Sequence, residues 1–178
     1  MEFATKCLHA GYTPKNGEPR VQPIVQSTTY TYDSAEEIGK LFDLQAPGYF
    51  YTRLANPTTN AAEEKITALE GGVATMCTAS GQAAVFYAML NILEAGDHFI
   101  SSSYVYGGTY NLFAHTFKKM GIEVSFVDQD LPLEELKKAI RPNTKAVFAE
   151  TIANPALRVL DIEKFAALAQ AAQAPLLI

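Results

Sequence analysis

From residue 34 onward the chain alternates short apolar runs with segments of helical period, and this alternation leaves few folds open. His98 to Ser102, Ile122 to Val127 and Lys145 to Glu150 read as strands, with Val73 to Cys77 as a short buried strand before them. Pro175 to Ile178 begins one more. Between them, Ser80-Gly81 turns into an apolar helix running to Leu93, and Gly107 to Met120 reads as a helix closed by Gly121. Leu133, Leu136 and Ile140 follow Pro132 at helical spacing, and Asp161 caps a helix carrying Ile162, Phe165, Ala166 and Ala169. Strands joined through helices need crossover connections, which produce an α/β fold with a mainly parallel sheet and flanking helices. Ligands on such sheets bind at the carboxyl ends of the strands, so the strand-exit loops are where chemistry is to be sought.

Two further helices precede this pattern. Asp33 or Ser34 caps one through Leu44, with Glu36 and Glu37 in its first turn. Asn56-Pro57 caps the other, Ala62, Ile66 and Leu69 mark its apolar face, and Gly71-Gly72 stops it. The first 33 residues are different in kind: Gly11, Pro14, Gly17, Pro19 and Pro23 punctuate a polar segment without helical period. It reads as an extended arm lying on its own domain or on a neighbouring subunit. The expected division is therefore residues 1–46, arm plus short helix, and 47–178, the α/β domain. The last strand stops with no loop to follow it, as in a truncated protein.

Composition narrows the function classes. A 178-residue chain that is 48% hydrophobic buries a core and suits one domain better than two. Fourteen Lys+Arg against nineteen Asp+Glu leave a net charge of -5, which disfavours nucleic acid and anionic membranes as partners. Its longest apolar stretch, Ala83 to Leu93, falls well short of a membrane span and contains Asn91. MEFATK lacks a basic region and an apolar core, so no secretory signal is read, and Cys7 and Cys77 make no disulfide framework; a reducing cytoplasm is expected. His9, His98 and His115 form no close-spaced set, and Cys7-x-His9 offers two ligands where zinc wants three or four, so no metal is expected. GxGxxG, GxxxxGK[ST] and GxSxG are all missing, which disfavours a dinucleotide site, a P-loop and a serine hydrolase.

Four loops or helix starts carry unusual residues. Thr78-Ala79-Ser80-Gly81-Gln82 puts a hydroxyl and a glycine at a helix start, where free N–H groups and the dipole favour an anion; a plain Ser cap is the other reading. Tyr104-Val105-Tyr106-Gly107-Gly108-Thr109 holds an aromatic at a strand exit, suited to stacking on a planar ligand or to simple partial burial. Tyr49 to Thr58 sets Tyr51 and Arg53 ahead of a helix; the Arg53 fork suits phosphate or carboxylate, or else pairs with Glu63 or Glu64. Glu150-Thr151-Ile152-Ala153-Asn154-Pro155 ends a strand in a rigid turn whose Asn154 either presents polar groups to a ligand or serves the turn alone.

Taken together with His9-Ala10-Gly11 and Pro23-Ile24-x-Gln26-Ser27-Thr28, these segments resemble the Cys/Met-metabolism (transsulfuration) enzymes, which use pyridoxal 5′-phosphate (PLP), over the whole chain. Gly107 to Phe113, Phe126-Val127-Asp128 and Glu150 to Pro155 look most like the O-acetylhomoserine sulfhydrylase (homocysteine synthase) branch; methionine γ-lyases typically carry a cysteine where Gly108 stands.

The resemblance implies the large domain of a type I, aspartate aminotransferase-like PLP-transferase. It implies that Ser80, Gly81 and Gln82 hold the cofactor phosphate and that Asn154 contacts the ring's phenolic oxygen. Tyr106 would stack on the pyridine near the leaving group, as the catalytic candidate, and Glu150 would support. Tyr51 and Arg53 would reach the phosphate of a neighbouring subunit in a homodimer or homotetramer. The implied reaction is γ-replacement: an amino-acid substrate loses its α and β protons and acetate from Cγ, and sulfide adds. The Schiff-base lysine, the aspartate facing the pyridine nitrogen and the arginine for the substrate carboxylate are expected beyond residue 178, leaving the chain alone inactive. Cystathionine γ-synthase or γ-lyase, methionine γ-lyase and a non-catalytic assembly or phosphate-binding module are the alternatives.

Overall fold

The computed structural model describes residues 1–178. They group into two compact units, Met1–Cys77 and Thr78–Ile178.

The first unit is built on three helices: α1 (Phe3–His9), α2 (Ala35–Phe42) and α3 (Pro57–Glu70). Ser34 Oγ accepts from the Glu37 N–H to open α2, and Asn56 Oδ1 accepts from the Thr58 N–H, 2.8 Å, to open α3 with Pro57 in its first turn. The arm is not extended throughout, as α1 replaces its first residues. That helix buries none of its side chains, so no apolar period announces it; it is held instead by contacts with α3, where the Lys6 ammonium donates to the Ala68 carbonyl at 3.0 Å. Gly11, at φ +86°, follows the helix: a Cβ there would sit 2.1 Å from the Ala61 carbonyl, so only glycine lets the arm run against the α3 backbone.

The second unit is a parallel sheet between helices. In chain order come α4 (Gly81–Leu90), β1 (His98–Ser102), α5 (Gly107–Asn111), β2 (Glu123–Val127), α6 (Leu133–Leu136), β3 (Thr144–Phe148), α7 (Ile162–Ala171) and β4 (Leu176–Leu177). The four strands lie in the order β2-β1-β3-β4, all parallel, with His98 opposite Glu123 and Phe99 opposite Ala146. Side chains alternate between the faces as the pleat requires. Phe99, Ala146 and Phe148 meet Met89, Leu93, Phe113 and Phe117 on one face; Ile100, Val147 and Ala149 meet Leu136, Phe165 and Leu168 on the other. From β1 the chain crosses to β2 on one side, then returns past β1 to β3 on the other, so the winding reverses between β1 and β3.

α5 continues without a break into a π-helical segment, Leu112–Phe117, whose Phe113 and Phe117 are fully buried. Phe113 packs edge-to-face on Phe99 (centroids 4.8 Å, 81°) and on Phe148 (5.0 Å, 86°), contacts worth about 0.5–1.5 kcal/mol each beyond the area they bury.

Two local expectations are corrected. Val73 to Cys77 is not a strand, and Val73 and Met76 are exposed: the segment makes no ladder pairing, and a β-forming run needs ladder partners. The helix at Leu133 is four residues long and tightens into a 3-10 turn, Lys137–Ala139. β4 forms over Leu176–Leu177, inside the apolar run 175–178. No helix is long and apolar enough to cross a membrane.

Candidate active site

The chemistry-bearing loops of the second unit leave the sheet where its winding reverses. β1 ends at Ser102 and leads to Tyr106; β3 ends at Phe148 and leads to Glu150 and Asn154; these strands are neighbours. A crevice outside the carboxyl ends of two strands whose connections diverge is where open α/β sheets take their ligands.

At the start of α4, Ser80 Oγ accepts from the Ala83 N–H at 3.1 Å and the Ser80 carbonyl accepts from Ala84. The N–H groups of Gly81 and Gln82 have no partner within the chain, and a Cβ at Gly81 would meet nothing within 4 Å. Two unpaired donors, a serine hydroxyl free to donate and an uncovered backbone form a cradle for an anion.

Tyr106 is the N-cap residue of α5 and its side chain is 48% exposed. Its N–H donates to both oxygens of Glu150, at 3.0 and 3.1 Å. The ring lies over Gly108, where a Cβ would stand 2.5 Å from Tyr106 Cε1 and 3.3 Å from Gln82 Nε2. Beneath, Thr109 is buried: its hydroxyl accepts from Gln82 Nε2 at 3.0 Å and lies 3.4 Å from Glu150 Oε1. Gln82, Tyr106, Thr109 and Glu150 therefore form one connected cluster, while Asn154 lies exposed at the tip of the β3 exit loop, making no side-chain hydrogen bond within the chain. That loop doubles back on itself: Ala153 donates to the Arg158 carbonyl (2.9 Å) and Leu160 to that of Thr151 (3.0 Å).

Tyr51 and Arg53 belong to the first unit. The Arg53 guanidinium sits 5.3 Å from the Tyr51 ring centroid and forms no ion pair. Glu63 and Glu64, its expected surface partners, are engaged elsewhere, with the Cys77 N–H and with Asn60, each at 2.7 Å. The turn is fixed from behind by Asn56, whose buried amide donates to Val25 O (3.1 Å), Thr52 Oγ1 (3.1 Å) and Tyr30 Oη (3.3 Å).

Sequence reasoning did not find Thr109, Asn56 as an anchor of the arm, or the placement of Glu150. Each acts through partners distant in the chain; only Asn56 carried a local signal, the Asn-Pro cap. His98 proves to be a satisfied core residue at the opposite end of β1, between Thr144 Oγ1 (2.8 Å) and Ser125 Oγ (2.9 Å). Burial, with the Arg141 charge adding to it, pushes its pKa down to about 4.

A reversed parallel sheet with an exposed ring at a strand exit, joined through Gln82 and Thr109 to an anion cradle at a helix start, has the features of a nucleotide- or cofactor-binding α/β domain. Its family follows from comparison with known proteins. Residues 4–178 match the model of the Cys/Met metabolism PLP-dependent enzymes, and the chain belongs to that family. It is 47% identical over 175 residues to an O-acetyl-L-homoserine sulfhydrylase of Leptospira meyeri, covering 98% of this chain and 39% of that protein. It is 42% identical to an L-methionine γ-lyase of Fusobacterium nucleatum subsp. polymorphum, over 94% of this chain and 42% of the relative. A solved structure of a candidate O-acetylhomoserine (thiol)-lyase from Campylobacter jejuni, carrying a pyridoxyl-lysine phosphate, superposes with a TM-score of 0.90 at 36% identity, over 99% of this chain and 43% of that one. The chain thus spans about 40% of the length of the curated relatives it matches.

PLP, the cofactor of the family, fits what the second unit offers. Its phosphate matches the unpaired Gly81 and Gln82 donors, and its flat ring matches the exposed face of Tyr106.

Proposed function

We propose that this chain supplies the cofactor-gripping part of an O-acetylhomoserine sulfhydrylase, which converts O-acetylhomoserine and sulfide to homocysteine and acetate. PLP, when bound, supplies the electron sink that makes the α and β protons of the substrate removable. The residues of this chain bind and orient. Gly81 and Gln82 N–H groups and the Ser80 hydroxyl hold the phosphate at the α4 start; Tyr106 stacks on the ring and stands near the departing acetate; Asn154 meets the phenolic oxygen of the ring. Tyr51 and Arg53 reach the phosphate of a neighbouring subunit, in a homodimer or homotetramer in the cytoplasm. Fixing the reactants in this way is worth roughly 7–11 kcal/mol of barrier in favourable cases, so many weak contacts suffice.

The observation that carries the sulfhydrylase reading is Gly108. The Tyr106 ring occupies the space a side chain would need there, with 2.5 Å left for a Cβ, whereas methionine γ-lyases typically carry cysteine at this position. The 47% identity to a sulfhydrylase points the same way, and the 42% identity to a methionine γ-lyase keeps that reading as the second. The test is the complete enzyme given O-acetylhomoserine with sulfide or with cysteine, and methionine alone. Homocysteine formed fastest with sulfide supports the proposal. Preference for cysteine makes it a cystathionine γ-synthase, and methanethiol from methionine makes it a γ-lyase.

A further inference from the structure

We propose that Glu150 is a positioning residue, a carboxylate that fixes the Tyr106 backbone and, through Thr109, the Gln82 amide as one platform for the cofactor. The proposal rests on the PLP-binding reading above and names what holds that site in shape. Glu150 leaves β3 beside β1, and the chain leaving β1 turns so that the Tyr106 N–H points at both carboxylate oxygens, 3.0 and 3.1 Å away. From the other side Thr109, 2% exposed, links the same carboxylate to Gln82: the amide donates to the hydroxyl at 3.0 Å, and the hydroxyl lies 3.4 Å from Oε1.

The polarity of this chain of bonds is fixed. An amide NH2 and a peptide N–H can only donate, and an ionised carboxylate can only accept, so the hydroxyl passes its proton toward Glu150. The carboxylate also faces the start of a helix, where negative charge is favoured. The two anchored groups converge over Gly108: the Tyr106 ring and the Gln82 amide both lie within 3.3 Å of where a Cβ would stand. Fold stability does not demand this arrangement. Tyr106 is half exposed, and water would satisfy its N–H; what the carboxylate adds is a fixed backbone at the residue from which the ring projects.

The test uses the complete enzyme with Glu150→Gln, Tyr106→Ala and the double variant. Amide hydrogen exchange at Tyr106 is read in the cofactor-free protein, PLP affinity by titration, and folding by the thermal midpoint. Glu150→Gln keeps the shape but leaves one acceptor for two donors. It is expected to speed exchange of the Tyr106 amide about tenfold and to weaken PLP about tenfold, the range for a lost charge-assisted hydrogen bond, with the thermal midpoint unchanged. In the Tyr106→Ala background the same substitution is expected to leave PLP affinity unaltered, because the group it positions is gone. Exchange within twofold of wild type overturns the proposal, as does an equal loss of PLP affinity with Tyr106 absent. If wild type itself retains no PLP, the functional reading falls, and the amide exchange alone decides whether Glu150 holds Tyr106. Should Glu150→Gln unfold, Thr109→Val, which cuts only the link to Gln82, is measured in its place: weaker PLP binding with Tyr106 amide exchange unchanged supports the proposal, and wild-type PLP affinity overturns it.

Discussion

At Gly108 the absence of a methyl group sets the position of an aromatic ring. A Cβ there would press to 2.5 Å on Tyr106, and since that ring is half exposed, the added group displaces the ring from its place over Gly108 and leaves the core unstrained. Gly108→Ala is therefore expected to lower kcat/KM of the complete enzyme at least tenfold while shifting the urea midpoint little; equal losses in both would show that the glycine serves folding alone. Asn56 presents the opposite case. It caps α3 and ties Val25, Tyr30 and Thr52 to that helix, so Asn56→Ala removes a cap worth about 1 kcal/mol together with buried bonds. A loss of roughly 2–3 kcal/mol in urea unfolding is expected. The cap was legible in the sequence because Asn-Pro is a local signal. Thr109 was not, since its partners lie 27 and 41 positions away and nothing within its own turn announces them.

Helix starts were the most readable features of the secondary structure. Ser34, Asn56, Ser80 and Asp161 each accept a backbone N–H at the helix they were expected to open, because capping chemistry is decided within four residues. β1, β2 and β3 were readable from their apolar runs. α1 and the segment 73–77 were not, for one reason: each takes its state from what lies beside it, α3 in one case and no pairing strand in the other. His98 joins β1 to β2 and β3 through its two hydroxyl partners. Its native pKa of about 4 lies below the ordinary 6.5, so an unfolded chain binds a proton that the native one refuses between these values. Stability is accordingly complete above pH 6.5 and falls as the pH drops toward 4, by about 3 kcal/mol in all. Urea midpoints from pH 7 to 4 check this; His98→Asn should flatten that slope, and a slope unchanged in the variant assigns it to other groups.

The parallel α/β plan followed from alternating runs, but the order β2-β1-β3-β4 did not, since no single run encodes its lateral neighbour. The reversal between β1 and β3 is what brings Tyr106 and Glu150 together. The expected placing of Tyr51 and Arg53 at a neighbour's cofactor has a direct test. Arg53→Ala and Gly81→Val, each inactive alone, should regain part of their activity when dissociated and reassembled together, because a mixed pair contains one intact site. No recovery on mixing would place both residues in their own subunit's site. The π-helical stretch carries a related lesson about how such a domain is put together. An ordinary helix turns about 100° with each residue, so the wider winding at Leu112–Phe117 offsets one end of the rod from the other by a surplus position. The Tyr106 end of the rod, at the strand exit, and the phenylalanines that meet the sheet are thereby aimed separately, and one rod satisfies two directions that regular winding would have forced to compromise.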